Sequence, residues 1–517
     1  MDWALLGQRI VTAIYSFALV MVCVYGFHRY LLVYLYYRYR GRVPRQPGSF
    51  TEDELPRVTV QLPMYNEQYV SERVIEHACR LDYPRDRLQI QVLDDSTDET
   101  VSIAAAAVER ARAEGYDIEY LHRDDRTGYK AGALEAGLAS ATGEFVAIFD
   151  ADFVPEPGII REAIHYFRDP QVCAVQARWE HINRRDSLLT RTQAIFLDGH
   201  FAIEHVARNR SGRFMSFNGT AGMWRTAAIV DAGGWQHDTL TEDMDLSYRA
   251  QIRGWRFVFL RDLTAAAELP PEMSAFKAQQ FRWTKGGAQT AMKMLPRILM
   301  ARGVPLKAKI DAFFHLTCFS VHAYVVVLVT LLLPSMLIRL AEAGQASTLR
   351  PIIDILVFAL ATISASVFYV ASQYELFRDW RTVLKYLPFL MALGVGVCLS
   401  NTKALLEALF GKQSEFVRTP KYGAGSDQYA SRRRKAAGGA KRKHDLLPVL
   451  EFAFGIYMVG CTIYALAHPK LLLAGPFFAM FAVGFFYVSI LTVSARRAAT
   501  GKARSPRPAE AGDPTDR

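Results

Sequence analysis

The chain has 517 residues, of which 51% are hydrophobic, a mean hydropathy of +0.06 and a formal net charge of +10. Because this length exceeds what one hydrophobic core usually organises, we expect two or more domains. The basic surplus lies beside apolar segments, where anionic lipid headgroups account for it, and no basic–aromatic RNA motif accompanies it, so we do not expect nucleic-acid binding.

The first apolar segment runs from Ile10 to Tyr37 and is interrupted only at His28 and Arg29. It is long enough to cross a bilayer, which takes ~20 residues, and too long for the apolar region of a cleaved signal peptide. A basic stretch at 38–42 follows and places this end of the segment in the cytoplasm. We therefore predict an N-terminal transmembrane helix.

Residues 56–293 have the composition of a soluble domain in which short apolar strands alternate with helices. The predicted strands are Val58–Leu62, Leu88–Leu93, Ile118–Leu121 and Phe145–Phe149, and the helices between them begin near Thr100 and after Gly128. This alternation predicts a parallel α/β sheet, which binds ligands at the carboxyl ends of its strands. No G-x-G-x-x-G follows the first strand and no P-loop sequence occurs, so dinucleotide cofactors and P-loop chemistry are disfavoured.

The fourth predicted strand ends on two carboxylates, Asp150 and Asp152. Two acids this close together at the end of a buried strand repel each other and lose hydration, so they require a cation nearby. Hard, oxygen-seeking Mg²⁺ or Mn²⁺ is the expected ion. A strand followed by a solvated Asp-rich turn is the alternative, which D-x-D by itself does not exclude.

Three further polar clusters lie along the chain: Phe217–Gly222, Thr241–Asp243 and Gln279–Trp283. Helix capping by Thr241 would explain the second without any function, because Asp245–Ala250 continues as a helix. An Arg-Trp pair just before a membrane segment is typical of a headgroup anchor, which would explain the third. Each cluster alone thus has a structural explanation.

Apolar segments return after the soluble domain. They are Phe313–Ile338, Ile352–Ala371, Leu387–Leu399, Leu446–Leu466 and Leu471–Val493. Leu387–Leu399 is short and an amphipathic stretch at 401–411 continues it, so we predict a re-entrant or interfacial element there and spans in the other four. Basic runs at 432–443 and after 496 are expected in the cytoplasm, which requires an even number of crossings between residues 38 and 432.

Four motifs in series carry a family resemblance. They are D-D-S at Asp94–Ser96, D-A-D at Asp150–Asp152, T-E-D at Thr241–Asp243 and Q-Q-F-R-W at Gln279–Trp283. In this order, flanked by membrane segments, they resemble the processive family 2 glycosyltransferases, the group of cellulose, hyaluronan and chitin synthases. G-Y-K-A-G-A-L at Gly128–Leu134 and F-N-G-T-A-G at Phe217–Gly222 look like the cellulose-synthase-like A and C proteins, and the resemblance covers roughly Val58 to Lys421.

This resemblance implies a GT-A fold, an α/β nucleotide-diphospho-sugar transferase domain with a Rossmann-like mixed sheet, joined to an α-helical multi-pass membrane domain. It implies an inverting, processive hexosyltransferase that binds a nucleotide-sugar donor, a growing glycan and membrane lipids, and that moves its β-linked product across the cell (inner) membrane from a cytoplasmic catalytic domain. The sequence leaves open GDP-mannose or UDP-glucose as donor, and β-1,4-mannan, glucomannan or β-glucan as product. The alternative is a non-processive transferase that makes a membrane glycolipid. Oligomeric state and export partners are open as well.

Under this interpretation the chain divides into consecutive regions. They are an N-terminal transmembrane helix (1–40), the cytoplasmic GT-A domain (56–270), interfacial helices with Q-Q-F-R-W (271–310), transmembrane helices with a re-entrant or interfacial helix (311–411), a gating-like loop and basic linker (412–445), a transmembrane hairpin (446–494) and a disordered basic tail (495–517). The gating-like loop is Phe416–Lys421, which resembles the loop that covers the donor in cellulose synthases and departs from it at Arg418. A juxtamembrane linker that contacts lipid is the alternative for this loop.

The resemblance also implies roles for individual residues. The implied donor-binding residues are Asp94, Asp95, Lys130, Asp150, Asp152 and Lys421, with Asp150 and Asp152 also holding the metal. The implied acceptor-binding residues are Phe217, Asn218, Gly219, Thr220 and Trp283, and the implied catalytic residues are Glu242, Asp243, Gln279, Arg282 and Trp283. Asp243 would act as the general base, and the planar guanidinium of Arg282 would bind diphosphate oxygens. Lys130, at a helix start, would add a positive charge beside the phosphates.

Overall fold

The computed structural model describes residues 3–342, 349–412, 418–436 and 446–501. Its strands are β1 (Val58–Met64), β2 (Leu88–Asp94), β3 (Ile118–His122), β4 (Phe145–Ile148), β5 (Val154–Pro155), β6 (Val172–His181), β7 (Gly222–Arg225) and β8 (Arg256–Ala267). All the strands predicted from the apolar runs are present, and β1 extends through Met64, where a turn is predicted.

These strands form one mixed sheet in the order β3-β2-β1-β4-β7-β6-β8-β5. β1 to β4 pair in parallel, as predicted, and so do β6 and β8. β7 runs antiparallel to both β4 and β6, and β5 runs antiparallel to β8, so the sheet is mixed, as the family resemblance implies. Because antiparallel pairing sets Gly222 opposite Ile148, the turn before β7 lies at the carboxyl end of β4.

Apolar side chains cover both faces of the sheet. Val146 and Ile148 of β4 belong to one core cluster, whereas Phe145 and Ala147 belong to another on the opposite face. Alternate side chains of a strand point to opposite faces, so a strand covered on both sides reads as a continuous apolar run. Polar residues are then confined to the edge where the strands end.

The helices around the sheet position its loops. They are α2 (Ser71–Cys79), α3 (Thr100–Ala113), α4 (Tyr129–Ser140), α5 (Ile159–Ile164), α6 (Leu188–Asp198), α7 (Val206–Ser211), α8 (Thr226–Asp231) and α9 (Glu242–Ile252), with a π-helix (Gly199–His205) between α6 and α7. The two predicted helices near Thr100 and Gly128 are α3 and α4.

The remaining helices are long or apolar. They are α1 (Trp3–Tyr39), α10 (Met273–Met300), α11 (Leu306–Thr317), α12 (Val321–Glu342), α13 (Leu349–Phe377), α14 (Trp380–Leu384), α15 (Leu387–Gly396), α16 (Cys398–Leu409), α17 (Tyr429–Ala436), α18 (Leu447–Ala467) and α19 (Gly475–Gly501). Among the described residues, four stretches are long and apolar enough to cross a membrane: Trp3–Tyr39, Leu306–Ile338, Leu447–Ala467 and Gly475–Ser494.

The predicted span Ile352–Ala371 lies within α13, and several of its side chains fall outside the described part of the structure. α15 and α16 meet at a bend of 42° and would count as a fifth span if the pair crossed as one. At the C-terminus, α19 continues past the predicted boundary at 494 to Gly501, so the predicted disordered tail does not begin at 495. The rest of that tail, and Phe416 and Val417 of the gating-like loop, lie outside the described residues.

Candidate active site

A cavity of about 220 Å³ opens where β1 and β4 end, at the sheet edge that the parallel strands predict. The predicted residues that line it are Asp95, Lys130, Asp150, Asp152, Asn218, Gly219, Glu242, Asp243, Gln279, Arg282, Trp283 and Lys421. These residues come from loops and helices far apart in the sequence.

The two carboxylates after β4 are each paired with a lysine. Lys130 Nζ lies 2.5 Å from Asp150 Oδ1, and Lys421 Nζ lies 2.6 Å from Asp152 Oδ2. Asp152 Oδ2 also accepts a hydrogen bond from the backbone N–H of Glu268, at 3.2 Å. The positive charge expected beside these acids is therefore supplied, in this structure, by two ammonium groups.

Lys130 is more constrained than the sequence predicts. It belongs to the first turn of α4, directly after Gly128, whose φ of 76° is in the left-handed region that favours glycine. Besides contacting Asp150, Lys130 Nζ donates to the carbonyl oxygen of Gly219, at 2.8 Å. Burial disfavours its charge, but the carboxylates of Asp150 and Glu242 outweigh that effect and raise the pKa of Lys130. It therefore joins the turn at Gly219 to the carboxylate of Asp150.

The T-E-D motif begins α9, and capping does not explain it. Thr241 occupies the N-cap position without a side-chain cap, and its hydroxyl instead lies 3.0 Å from Thr290 Oγ1. Asp243 Oδ1 accepts from the backbone N–H of Met244, at 2.8 Å. Burial and the neighbouring carboxylate of Glu242 raise the pKa of Asp243. A carboxyl group with a raised pKa is suited to proton transfer near neutral pH.

The turn at Gly219 comes within contact distance of Asp243. Gly219 has a φ of 77°, and a Cβ added there would lie 3.1 Å from Asp243 Oδ2 and 3.4 Å from Lys130 Nζ. Only a residue without a side chain fits both the backbone conformation and the space.

Arg282 lies midway along α10 and faces the acids of the cavity. Burial lowers the pKa of Arg282, and the carboxylates of Glu242 and Asp150 oppose that shift. Gln279 and Trp283 line the same cavity from neighbouring turns of α10. Q-Q-F-R-W thus lies in the candidate site, and the headgroup-anchor explanation does not account for it.

Three predicted contact residues do not line the cavity. Asp94 is fully buried, with Oδ1 accepting from Ser96 N at 2.9 Å and Oδ2 from the Tyr120 hydroxyl at 2.7 Å. Phe217 is buried in the core, and Thr220 Oγ1 accepts from the backbone N–H of Asp150, at 2.8 Å. The ligand contacts of these three side chains stay predictions; in this structure Asp94 and Thr220 bond within the protein and Phe217 packs in the core.

Asp95 lines the cavity, but both of its carboxylate oxygens are hydrogen-bonded within the protein. Arg123 binds its two oxygens through Nε at 2.8 Å and Nη2 at 2.6 Å. Two bonds of this kind hold a carboxylate in one orientation.

The residues 418–424, here called the closing segment, cover the cavity from one side. Arg418 binds Glu67 through Nε at 2.9 Å and Nη2 at 2.5 Å. The carboxylate of Glu268, which is 2% exposed, accepts from three consecutive backbone N–H groups, those of residues 422–424, at 2.9 to 3.0 Å. The closing segment is thereby attached to the sheet domain at several points.

Sequence reasoning missed several lining residues, among them Glu67, Glu268 and Arg126. Arg126 lies over the ring of Tyr65, with its guanidinium carbon 3.3 Å from the ring centroid. Tyr65 and Glu67 follow β1 directly, so the strand-edge rule could have found them. Nothing in the local pattern around Glu268 indicates its role, because its partners lie about 150 residues away in the chain.

Comparison with known proteins identifies the family. A family model described as "Glycosyltransferase like family 2" matches residues 56–286. Glucomannan 4-beta-mannosyltransferase 2 of Arabidopsis thaliana is 37% identical over 455 residues, covering 84% of this chain and 80% of that relative. The chain belongs to glycosyltransferase family 2. A second family 2 relative, glucomannan 4-beta-mannosyltransferase 1 of Oryza sativa subsp. japonica, is 34% identical and covers 84% of this chain and 82% of its own length.

Family 2 membership confirms the predicted cellulose-synthase-like resemblance and makes the protein a hexosyltransferase. Its fold also matches a solved structure, the mannosyltransferase PcManGT from Pyrobaculum calidifontis in complex with GDP-Man and Mn²⁺. The two agree with a TM-score of 0.50 at 20% identity, over 77% of this chain and 100% of that one. The predicted GT-A fold is thereby confirmed.

The residues of this family 2 site fit a divalent cation that takes part of its ligands from the substrate. Asp150 and Asp152 offer carboxylate oxygens to the cavity, but within the described ranges no three Asp, Glu, His or Cys side chains are arranged so that they could hold a metal ion by themselves. Mg²⁺ is commonly bound through one or two carboxylates together with substrate phosphates. The donor set therefore suits an ion that arrives with the nucleotide-sugar.

Proposed function

We propose that this family 2 glycosyltransferase is a processive, inverting synthase of a β-1,4-linked mannan or glucomannan. Relatives over most of the chain are glucomannan 4-beta-mannosyltransferases, which favours GDP-mannose as donor. UDP-glucose is the second candidate donor, because a glucomannan contains both sugars. The observation that carries the proposal is the convergence of Asp243, Arg282, Asp150 and Asp152 on one cavity.

In this proposal, the residues that activate the acceptor and those that bind the leaving diphosphate lie at the two ends of the cavity. Asp243 takes the proton from the attacking acceptor hydroxyl, and a positioned base contributes about 10²–10⁴-fold to the rate. Attack from the face opposite the diphosphate inverts an α-linked donor to a β-linkage. The planar guanidinium of Arg282 binds the oxygens of the departing diphosphate, and Trp283 offers a rigid apolar surface to the acceptor sugar.

Asp150 and Asp152 would hold Mg²⁺ or Mn²⁺ together with donor phosphate oxygens. Such an ion, when bound, acts as a Lewis acid toward the leaving diphosphate. The ammonium group of Lys421, which pairs with Asp152 in this structure, would then be available to bind the phosphates.

The product is proposed to leave through the membrane. α10 carries Gln279, Arg282 and Trp283 and packs against α11, α16 and α19, so the acceptor end of the cavity is continuous with the apolar helices. This arrangement supports a multi-pass protein of the cell (inner) membrane with its catalytic domain in the cytoplasm.

The test is a donor screen on the purified full chain with Mg²⁺, Mn²⁺ or EDTA. We expect nucleoside diphosphate release and a ladder of β-1,4-linked products from GDP-mannose, and loss of both with EDTA. Product sizing and linkage analysis give the readout. A single extractable glycolipid, or release of nucleoside diphosphate without any glycan product, would contradict the proposal.

A further inference from the structure

The carboxamide of Asn218 is held between two imidazoles. His205 Nε2 lies 2.6 Å from Asn218 Oδ1, and His200 Nε2 lies 3.0 Å from Asn218 Nδ2. The backbone N–H of Asn218 donates to Gln176 Oε1, at 3.0 Å. Both histidines belong to the π-helix Gly199–His205, and π-helical turns are frequent at functional sites. The side chain and the backbone of this cavity residue are therefore both fixed.

The charges around His200 decide which way the amide points. Glu204 Oε2 lies 3.0 Å from His200 Nδ1, and Glu204 is itself paired with Arg208, at 2.5 Å. Glu204 is therefore an ionised acceptor for the N–H at His200 Nδ1. In the amide orientation of this structure, Nδ2 of Asn218 faces His200 Nε2, where it donates to the neutral ring.

His205 supports the same orientation from the other side. It is fully buried, and burial lowers the pKa of His205 well below its ordinary value, so the ring is neutral. Within the described part of the chain its Nδ1 has no hydrogen-bond partner, whereas Nε2 faces Asn218 Oδ1. Because an amide oxygen can only accept, the proton of His205 lies on Nε2.

The two histidines leave half of the amide unused. An asparagine side chain has two N–H donors and two lone pairs on its oxygen, and His200 and His205 take one of each. Asn218 lines the cavity one residue before Gly219, which adjoins the base Asp243. The remaining donor and lone pair form a matched pair for a sugar hydroxyl, which both donates and accepts.

We propose that His200 and His205 are positioning residues that orient the amide of Asn218 to bind hydroxyl groups of the acceptor sugar. This proposal rests on the proposed function, since it assumes that the chain elongates a glycan. It assigns the histidines to acceptor binding alone, with no part in donor binding or in proton transfer.

The test uses two variants of His200, whose side chain is 23% exposed and is the safer of the two to change. His200→Leu removes the acceptor for Asn218 Nδ2, whereas His200→Gln can replace it with an amide oxygen. The purified full chain is given its donor with increasing β-1,4-manno-oligosaccharide, and glycan elongation is measured beside donor hydrolysis by water. His200→Leu is expected to raise the KM for the oligosaccharide about tenfold, the effect of one well-placed hydrogen bond. The donor KM and the hydrolysis rate should stay at wild-type values.

His200→Gln is expected to recover most of the wild-type KM for the oligosaccharide, and His237→Leu, at an exposed histidine outside the cavity lining, serves as the control. An unchanged KM in His200→Leu, a parallel fall of elongation and hydrolysis, or equal defects in both His200 variants would overturn the proposal. The wild type separately tests the proposed function by whether it elongates the manno-oligosaccharide. If it elongates a different glycan, the proposed function fails and the variants are compared on that glycan.

Discussion

The carboxylate of Asp243 lies between the start of α9 and the Cα of Gly219, next to Glu242. Asp150 and Asp152, by contrast, each have a lysine ammonium within 2.6 Å. Burial and Glu242 raise the pKa of Asp243, and a base with a raised pKa holds a proton more strongly once it has taken it from the acceptor. At the level of single residues, the environment of the proposed base Asp243 therefore differs from that of Asp150 and Asp152.

Replacing Asp243 with asparagine should abolish turnover and leave donor binding nearly intact. The amide keeps the size of the side chain but cannot take a proton, so nucleoside diphosphate release should fall about 10²–10⁴-fold. Calorimetric titration with the donor should give an affinity close to that of the wild type. Glu109→Gln on the outer surface of α3, where the carboxylate is 69% exposed, is the matched control. A wild-type rate in Asp243→Asn would refute the base assignment.

The pH profile should show the raised pKa of Asp243. The base acts only when deprotonated, so kcat/KM should fall as the pH drops through its pKa, and this acid limb should lie above the ordinary range of an aspartate. Glu242→Gln removes a negative charge that disfavours ionisation of Asp243, so the limb should move to lower pH in that variant. Initial rates across a pH series test both statements. A limb at the ordinary aspartate range in the wild type would show that a different group limits the rate.

At the scale of elements, the closing segment is attached to the sheet domain by side chains that come from three different strand ends. Glu67 follows β1, Asp152 follows β4, and Glu268 follows β8. Their partners all lie within residues 418–424. The sheet edge therefore holds the cover of the site as well as the donor-facing carboxylates.

Glu268→Gln should loosen the closing segment. The amide loses the charge that stabilises three backbone N–H bonds, and its own N–H₂ faces one of those donors. Tryptic cleavage after Arg418 or Lys421 should become about tenfold faster, since charge-assisted bonds are worth more than neutral ones. Glu180→Gln, at a carboxylate 46% exposed, is the control. Equal cleavage rates in both variants and in the wild type would contradict this role.

In the whole molecule, two contacts show that both ends of the bent pair α15–α16 lie near the catalytic domain. The end of α13 lies against the catalytic domain, since Arg261 Nη2 donates to the carbonyl of Glu375 at 2.7 Å. The chain after α16 returns to the same domain, where Lys421 meets Asp152. Both ends of the bent pair are therefore on the catalytic side, which favours a re-entrant element.

Cysteine labelling can test this topology in a variant without native thiols. Cysteines placed at Arg381, before the pair, and at Phe410, after it, should react with an impermeant maleimide from the side on which Glu109→Cys reacts. Leu472→Cys, between α18 and α19, should react only from the opposite side. Labelling of Arg381→Cys from the side of Leu472→Cys would show that the pair crosses.

Much of the fold could be predicted because its signals are local. The apolar runs of β1 to β4, the glycine before α4 and the hydropathy of the long apolar helices are each visible within one short stretch of sequence. The orientation of β7 could not be predicted from the sequence. A strand of four residues carries no local signal for parallel or antiparallel pairing, because the pairing depends on the neighbouring strands β4 and β6. Among the predicted site residues, Asp243 and Arg282 line the cavity, whereas Asp94, Phe217 and Thr220 are buried beside it.

The chemical groups available to this protein can be read from its sequence: acids at the end of a buried strand, a T-E-D helix start, an Arg-Trp pair and apolar helices on either side. The tertiary structure alone decided which of these groups meet. Lys421 reaches Asp152 across 269 residues of chain, and Glu268 reaches Tyr422 of the closing segment across 154 residues. Contacts of that separation depend on how the sheet and the helices pack, and packing is a property of the whole chain that no local pattern carries.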